Sequence, residues 1–197
     1  VSSPTFDEDF GNITLIQNGV TVLNNTTALH SLVGTIGTAT GIAGGYSDFS
    51  SFGPFNFISG QPISFSVSSL TSGTAYTNVI KVFIDLNKNG SFADPGECIY
   101  FDNPGVAGAH TSTGTFTIPV SAFGVTRMRV FAQEGGSGNG YVNSFSWGEF
   151  EDYTISISNI SSVSWSDGVS TIGTGTSLSV TPSVTTSYTA TVLSAGC

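Results

Sequence analysis

The chain has 197 residues, 39% of them hydrophobic and only 9% charged, with 25 Gly, 15 Phe and a formal net charge of −9. With only 4 Lys and Arg in all, no basic patch can neutralise a phosphate backbone, so nucleic acid is excluded as a partner and an anionic membrane surface is disfavoured. No apolar run approaches a membrane-spanning length, and the scarcity of charge beside abundant Gly, Ser and Thr points to a secreted or cell-surface β protein, not a cytosolic enzyme.

The first residue is Val1, so the chain reads as mature and processed, with no leader in view. An acidic cluster, Asp7, Glu8 and Asp9, follows a polar lead-in and is either solvated or part of a cation site. Asn12–Ile16 and Val20–Leu23 alternate around Asn18-Gly19, the strongest short hairpin signal in the chain. The Gly- and Thr-rich stretch from Asn24 to Gly45, which carries His30, predicts irregular chain or short edge strands.

Four phenylalanines, Phe49, Phe52, Phe55 and Phe57, then fall within a dozen residues. Such a cluster either plugs the end of a sandwich or stacks on sugar rings, with Tyr46 and Asp48 placed to bond hydroxyls. Pro62–Leu70 sets Ile63, Phe65 and Val67 on one face and serines on the other, as a half-buried strand requires. Val79–Ile84 is a buried strand, and Cys98–Phe101 returns beside it. Thr115–Val120 and Thr126–Gln133 read as another pair joined through Ala122-Phe-Gly124. A Gly-rich loop, Glu134–Asn143 with Tyr141, leads to Trp147 and an acidic strand.

Chemistry concentrates in two segments. In Asp85-Leu-Asn-Lys-Asn-Gly90, the oxygens of Asp85, Asn87 and Asn89 recur at alternate positions, and Gly90 permits the reversal that aims them and the Ser91 carbonyl at one point. Glu97 follows one residue later than a helical calcium hand would have it, and a strand leads in where a helix would. This predicts a strand-borne calcium loop, against a plain hairpin turn at Asn89-Gly90. In Gly148-Glu-Phe-Glu-Asp-Tyr153, period-two alternation puts Glu149, Glu151, Tyr153, Ile155 and Ile157 on one face. Carboxylates at the mouth of a core need compensation, either from a cation shared with the first segment through Glu149, Glu151 and Asp152, or from Arg127 and Arg129.

The run Asp7-Glu-Asp-Phe-Gly-Asn-Ile-Thr14, then Gly45-Tyr-Ser-Asp-Phe49, then Val82–Phe92 with Pro95-Gly-Glu97, and finally Gly148–Tyr153, resembles the GEVED domain over about residues 5 to 158. Phe150 stands where the family's name has Val, and Asn89 where Asp is more usual. The resemblance implies a β-sandwich module of large secreted proteins, largely from Bacteroidota. After Ile157, Val163–Gly168, Thr176–Pro182 and Thr185–Leu193 resemble the second half of an immunoglobulin-like module whose first half is missing. The expected fold is therefore an all-β, jelly-roll-like antiparallel sandwich over 1–158, with a partial immunoglobulin-like β segment over 159–197. About forty residues in a few strands cannot bury enough surface alone, so they dock on the sandwich, take strands from another chain, or belong to a longer array. Cys98 and Cys197 form a disulfide, pair across chains or remain thiols.

The function expected is structural: an adhesive, fibre- or surface-layer-forming subunit, a homo-oligomer or polymer joined through edge strands and stabilised by calcium. The alternative is a calcium-dependent module binding a surface glycan through Tyr46, Asp48, Phe49 and Tyr141. Catalysis is not expected. Glu149 and Glu151 lie on the same side of any substrate, His30 and His110 are isolated, and no nucleophile elbow or phosphate loop occurs.

Overall fold

The computed structural model describes residues 8–25, 45–71, 74–102, 105–135, 141, 148–175 and 177–194. The strands are β1 (Glu8–Gln17), β2 (Val20–Asn25), β3 (Gly45–Asp48), β4 (Phe55–Ile58), β5 (Pro62–Thr71), β6 (Thr77–Ile84), β7 (Cys98–Phe101), β8 (Val106–Ala107), β9 (His110–Thr117), β10 (Gly124–Glu134), β11 (Gly148–Ser158), β12 (Ile160–Ser166), β13 (Thr171–Thr174) and β14 (Thr189–Ser194). One sheet has the order β2-β1-β5-β9, and a second runs β3-β11-β10-β6-β7, with β4 also on β11 and β8 on β6. Their inner faces make an all-β sandwich.

Local sequence explains most of these elements. Asn18 and Gly19 both adopt positive φ, 52° and 75°, which the two-residue turn between β1 and β2 demands. The alternation in β5 buries Ile63, Phe65 and Val67 against Ile13, Leu15 and Leu23, while Ile80, Val82, Ile84, Met128, Val130, Tyr153, Ile155 and Ile157 close the core from the facing sheet. Every described residue of β6 after Thr77 is buried, because its other face is covered as well: Phe83 joins Phe92, Phe131 and Phe150 in a second cluster outside the sandwich.

Two features depart from the sequence reading. First, β3 and β4 both run parallel to β11, in register Phe150↔Tyr46 and Ile157↔Phe57, so the sandwich is not purely antiparallel. Second, β9 and β10 do not pair with each other. β9 lies on β5 and β10 lies between β11 and β6, so the connection over 118–123 passes from one sheet to the other. The Ala122 N–H bonds to the Pro119 carbonyl at 2.9 Å and the Gly60 N–H to the Ile118 carbonyl at 2.8 Å, which makes it an arch, not a hairpin.

The segment after β11 forms a third sheet, β13-β12-β14, whose elements make their main contacts with one another. Of its described side chains only Val163 is buried. Val169, Val180, Val184 and Val192 of this segment are exposed. Among the described residues, no helix is long and apolar enough to cross a membrane.

Candidate functional site

The two acidic segments are separated by β10. Asp85 lies on one side of it, its N–H bonded to the Arg127 carbonyl at 3.0 Å, and Asp152 lies on the other, paired in register with Arg129. They do not form one cation site, and the reason is visible in the strand period. On β11, Glu149 and Glu151 point inward and Phe150 and Asp152 outward, each finding protein partners on its own face.

Inward, the Glu149 carboxylate accepts the Phe10 N–H of the opposite sheet at 2.9 Å and the Ser47 hydroxyl at 2.7 Å. Glu151 accepts the Asn25 side-chain amide at 3.2 Å and a very short bond from the Tyr153 hydroxyl. Burial, reinforced by the charge of Glu151, pushes the Tyr153 hydroxyl well above its usual pKa, so it stays a donor. Outward, Asp152 is fully buried and takes a bidentate pair from Arg129, Nε to Oδ1 at 2.5 Å and Nη2 to Oδ2 at 2.6 Å. The Tyr46 hydroxyl donates to the same carboxylate at 3.1 Å. Burial, then the charges of Asp152 and Asp48, push Tyr46 up to about 12. The Arg129 guanidinium lies 4.7 Å from the ring centre of Phe150 and 4.9 Å from that of Phe92, with Tyr46 and Tyr141 both at 5.8 Å. Burial opposes its charge, but the bonds to Asp152 outweigh that and hold its pKa above the ordinary value.

Glu149, Glu151 and Asp152 thus brace β11 to its neighbours and to the opposite sheet, apart from the 85–97 loop. The arginines compensate Asp152, while among the described residues the glutamates accept from Phe10, Ser47, Asn25 and Tyr153.

The glycan residues are redistributed in the same way. Phe49 is fully buried and stacks on Tyr153 at 5.5 Å, so it is no free platform, while half-buried Tyr141 accepts a bond from Arg129 Nη1 at 2.5 Å through its hydroxyl. Asp48 is exposed and accepts the Ser50 N–H at 2.9 Å. Desolvation works against its charge, yet the Ser50 bonds hold it below the usual carboxylate range. Cys98 carries a free thiol, its Sγ 3.3 Å from the Tyr100 carbonyl, and burial pushes its pKa up. Cys197, His30, Trp147 and Asp7 lie outside the described residues. His110 sits beside Asp102, Nε2 to Oδ2 at 3.5 Å.

What remains as a candidate cation centre is the loop between β6 and β7. Asp85 Oδ1 accepts the Asn89 N–H at 3.1 Å and Oδ2 the Gly90 N–H at 2.9 Å; Asn87 Oδ1 accepts Asn89 N–H at 3.0 Å, and Asn89 Oδ1 accepts Ser91 N–H at 2.8 Å. Gly90 takes φ 82°, which makes the reversal possible. Glu97 is 2% exposed and closes the loop, its Oε1 accepting the Leu86 N–H at 2.9 Å, while its Oε2 is buried with no hydrogen-bond partner. A buried carboxylate oxygen without a donor is costly, and a hard cation is one species that would satisfy it. Among the described residues no three His, Cys, Asp or Glu side chains converge, so a cation here would rest on Asp85 and Glu97 with amide, hydroxyl or carbonyl oxygens completing the shell.

Residues 79–156, from within β6 almost to the end of β11, match the family model of the GEVED domain. The chain carries a GEVED domain. Its name-giving segment, here Gly148–Asp152, is the brace described above, and the GEVED match also takes in the 85–97 loop. No curated protein matches the chain.

Proposed function

We propose that this GEVED-containing chain is a structural, adhesive module of a secreted or cell-surface assembly. Calcium stiffens the sandwich at the 85–97 loop, and the β13-β12-β14 sheet joins it to further copies. The observation that carries this reading is the exposure of that last sheet: Val192 is 55% exposed on β14, and Val180 and Val184 beside it are 41% and 72% exposed. Val180 and Val184 border an open groove of about 410 Å³ that Ile172 and Tyr188 also line. Three strands with one buried side chain among the described residues gain little from burial, and their two edge strands each leave a row of N–H and C=O groups without a described neighbour in the sheet. A strand from another copy supplies both needs. Asp85, Asn87, Asn89, Ser91 and Glu97 supply the oxygen-rich surroundings calcium prefers, and within this loop Glu97 Oε2 is buried without a hydrogen-bond partner.

The test is sedimentation velocity of the full chain over a range of concentrations, in calcium and in chelator, beside a Val192→Lys variant. Mass that grows with concentration, and is lost in the variant, supports the proposal. A monomer at every concentration in both conditions removes it.

A further inference from the structure

The chain has 4 Lys and Arg residues, and three of them, Lys88, Arg127 and Arg129, line one open cleft of about 380 Å³ between the 85–97 loop and the start of β10. In a chain of net charge −9, gathering the rare cations at one place is the reverse of what an evenly solvated surface gives. Two of the charges at this cleft are already committed. Arg129 is paired with Asp152, and the Asp85 carboxylate is turned onto the backbone N–H groups of Asn89 and Gly90. Two cations remain for a visitor.

Arg127 has a side chain 56% exposed, a distant contact with Asp152, 3.7 Å from Nη1 to Oδ2, and an electrostatic attraction to Asp48. Lys88 holds its ammonium 4.9 Å from the ring centre of Phe123, so close to β10 that a Cβ built on Gly124 would stand 2.7 Å from Nζ. Its backbone is left-handed, φ 60°, a conformation that non-glycine residues seldom adopt. Such strain gathers at sites where a side chain must be aimed.

The rest of the wall suits a sugar. The half-buried ring of Tyr141 presents apolar surface, backed by buried Phe92, and Ser91 contributes a polar side chain, within a volume typical of small-ligand sites. An acidic peptide fits less well, because the strand lining this wall, β10, is paired on both sides and offers no edge for a peptide backbone.

We infer that the cleft binds the carboxylate of a uronic acid residue in an acidic polysaccharide, with Arg127 and Lys88 holding the carboxylate and Tyr141 covering the sugar face. The site shares the 85–97 loop with the proposed calcium site but takes its specificity from the two cations, so it stands whether or not calcium binds.

Isothermal titration of the full chain at low salt tests it with trigalacturonate, its methyl ester and hexaglutamate, each in calcium and in chelator. Trigalacturonate should bind, and both its ester and the Lys88→Gln/Arg127→Gln double variant should weaken binding by at least about tenfold, the worth of one charge-assisted hydrogen bond. Lys88→Gly, which relaxes the backbone while removing the ammonium, should also weaken it without lowering the melting temperature. Equal binding of acid and ester, undiminished binding by the double variant, stronger binding of hexaglutamate, or no binding in either condition would each overturn the inference. Failure of the calcium reading would show separately, as a melting temperature indifferent to chelator.

Discussion

Replacing Asp152 by Asn should destabilise the chain, and the loss should largely vanish when Arg129 is already Met. Asp152 has no exposed surface and Arg129 little, and the pair is bidentate at 2.5 and 2.6 Å inside a ring of aromatics. Breaking a buried pair from one side costs about 3–5 kcal/mol, mainly because the surviving charge is left unpaired. Asn keeps one carbonyl acceptor, which puts Asp152→Asn near about 3 kcal/mol. Arg129→Met should cost about the same, since Asp152 would then keep only the Tyr46 hydroxyl and the distant Arg127. Independent losses would sum to about 6 kcal/mol; with both charges gone the double variant should lose about 3, a coupling of about 3 kcal/mol. Urea unfolding at matched slopes measures all four corners of the cycle. A coupling below about 0.5 kcal/mol would mean that the two side chains act independently and that the brace is not what holds β10 to β11.

Calcium at about a hundred times its dissociation constant should add about 2.7 kcal/mol, or roughly 5–10 °C for a chain of this size; calorimetry with and without chelator reads it, and Glu97→Gln should abolish the increment. Identical melting in both conditions would remove the cation. Tyr46 and Tyr100 are each raised from 10.0 to about 12 in the fold, chiefly by burial and then by Asp152 and Asp102. A raised pKa means that the folded chain keeps a proton the unfolded chain has lost, so this stability is complete below pH 10 and falls between pH 10 and 12. Urea midpoints against pH should show that decline, and Tyr46→Phe with Tyr100→Phe should flatten it. Gly53→Ala should loosen the link between β3 and β4, because the added Cβ would stand 2.4 Å from the Thr154 carbonyl oxygen. A loss of about 1–3 kcal/mol is expected, measured by the same unfolding series.

Much of the fold was readable because the alternation is strict. Ile63, Phe65 and Val67, or Asn18-Gly19, leave one sensible geometry each, and the pairing of Cys98–Phe101 with β6 follows from a loop that must return. The arch over 118–123 was not readable, since a short connection between two strand signals looks the same whether the strands share a sheet or face across a core. In the acidic strand, alternation correctly gathers Glu149 and Glu151 on the face of Tyr153, but carboxylate density alone does not separate a metal site from a brace. The deciding donors, Phe10 N–H, Asn25 and Ser47, come from segments more than a hundred residues away in sequence. Phe49 stayed open for a related reason: an aromatic beside Asp48 reads as core or as sugar platform until Tyr153 is found beneath it. The cation-lined cleft left one trace in the sequence, the rarity of Lys and Arg, which makes the placement of each informative.

The bond from Phe10 to Glu149 spans 139 positions of the chain. Its upstream half lies well before residue 79, where the family match begins, and so do β1, β2 and β5, which supply half the walls of the hydrophobic interior. A protease or an expression plasmid that respected the 79–156 boundaries would release a piece in which Glu149 has lost the Phe10 and Ser47 donors, Glu151 that of Asn25, and whose isoleucines face water. The heritable unit of this architecture is therefore wider than its recognisable signature, and the poorly marked leading third must travel with it.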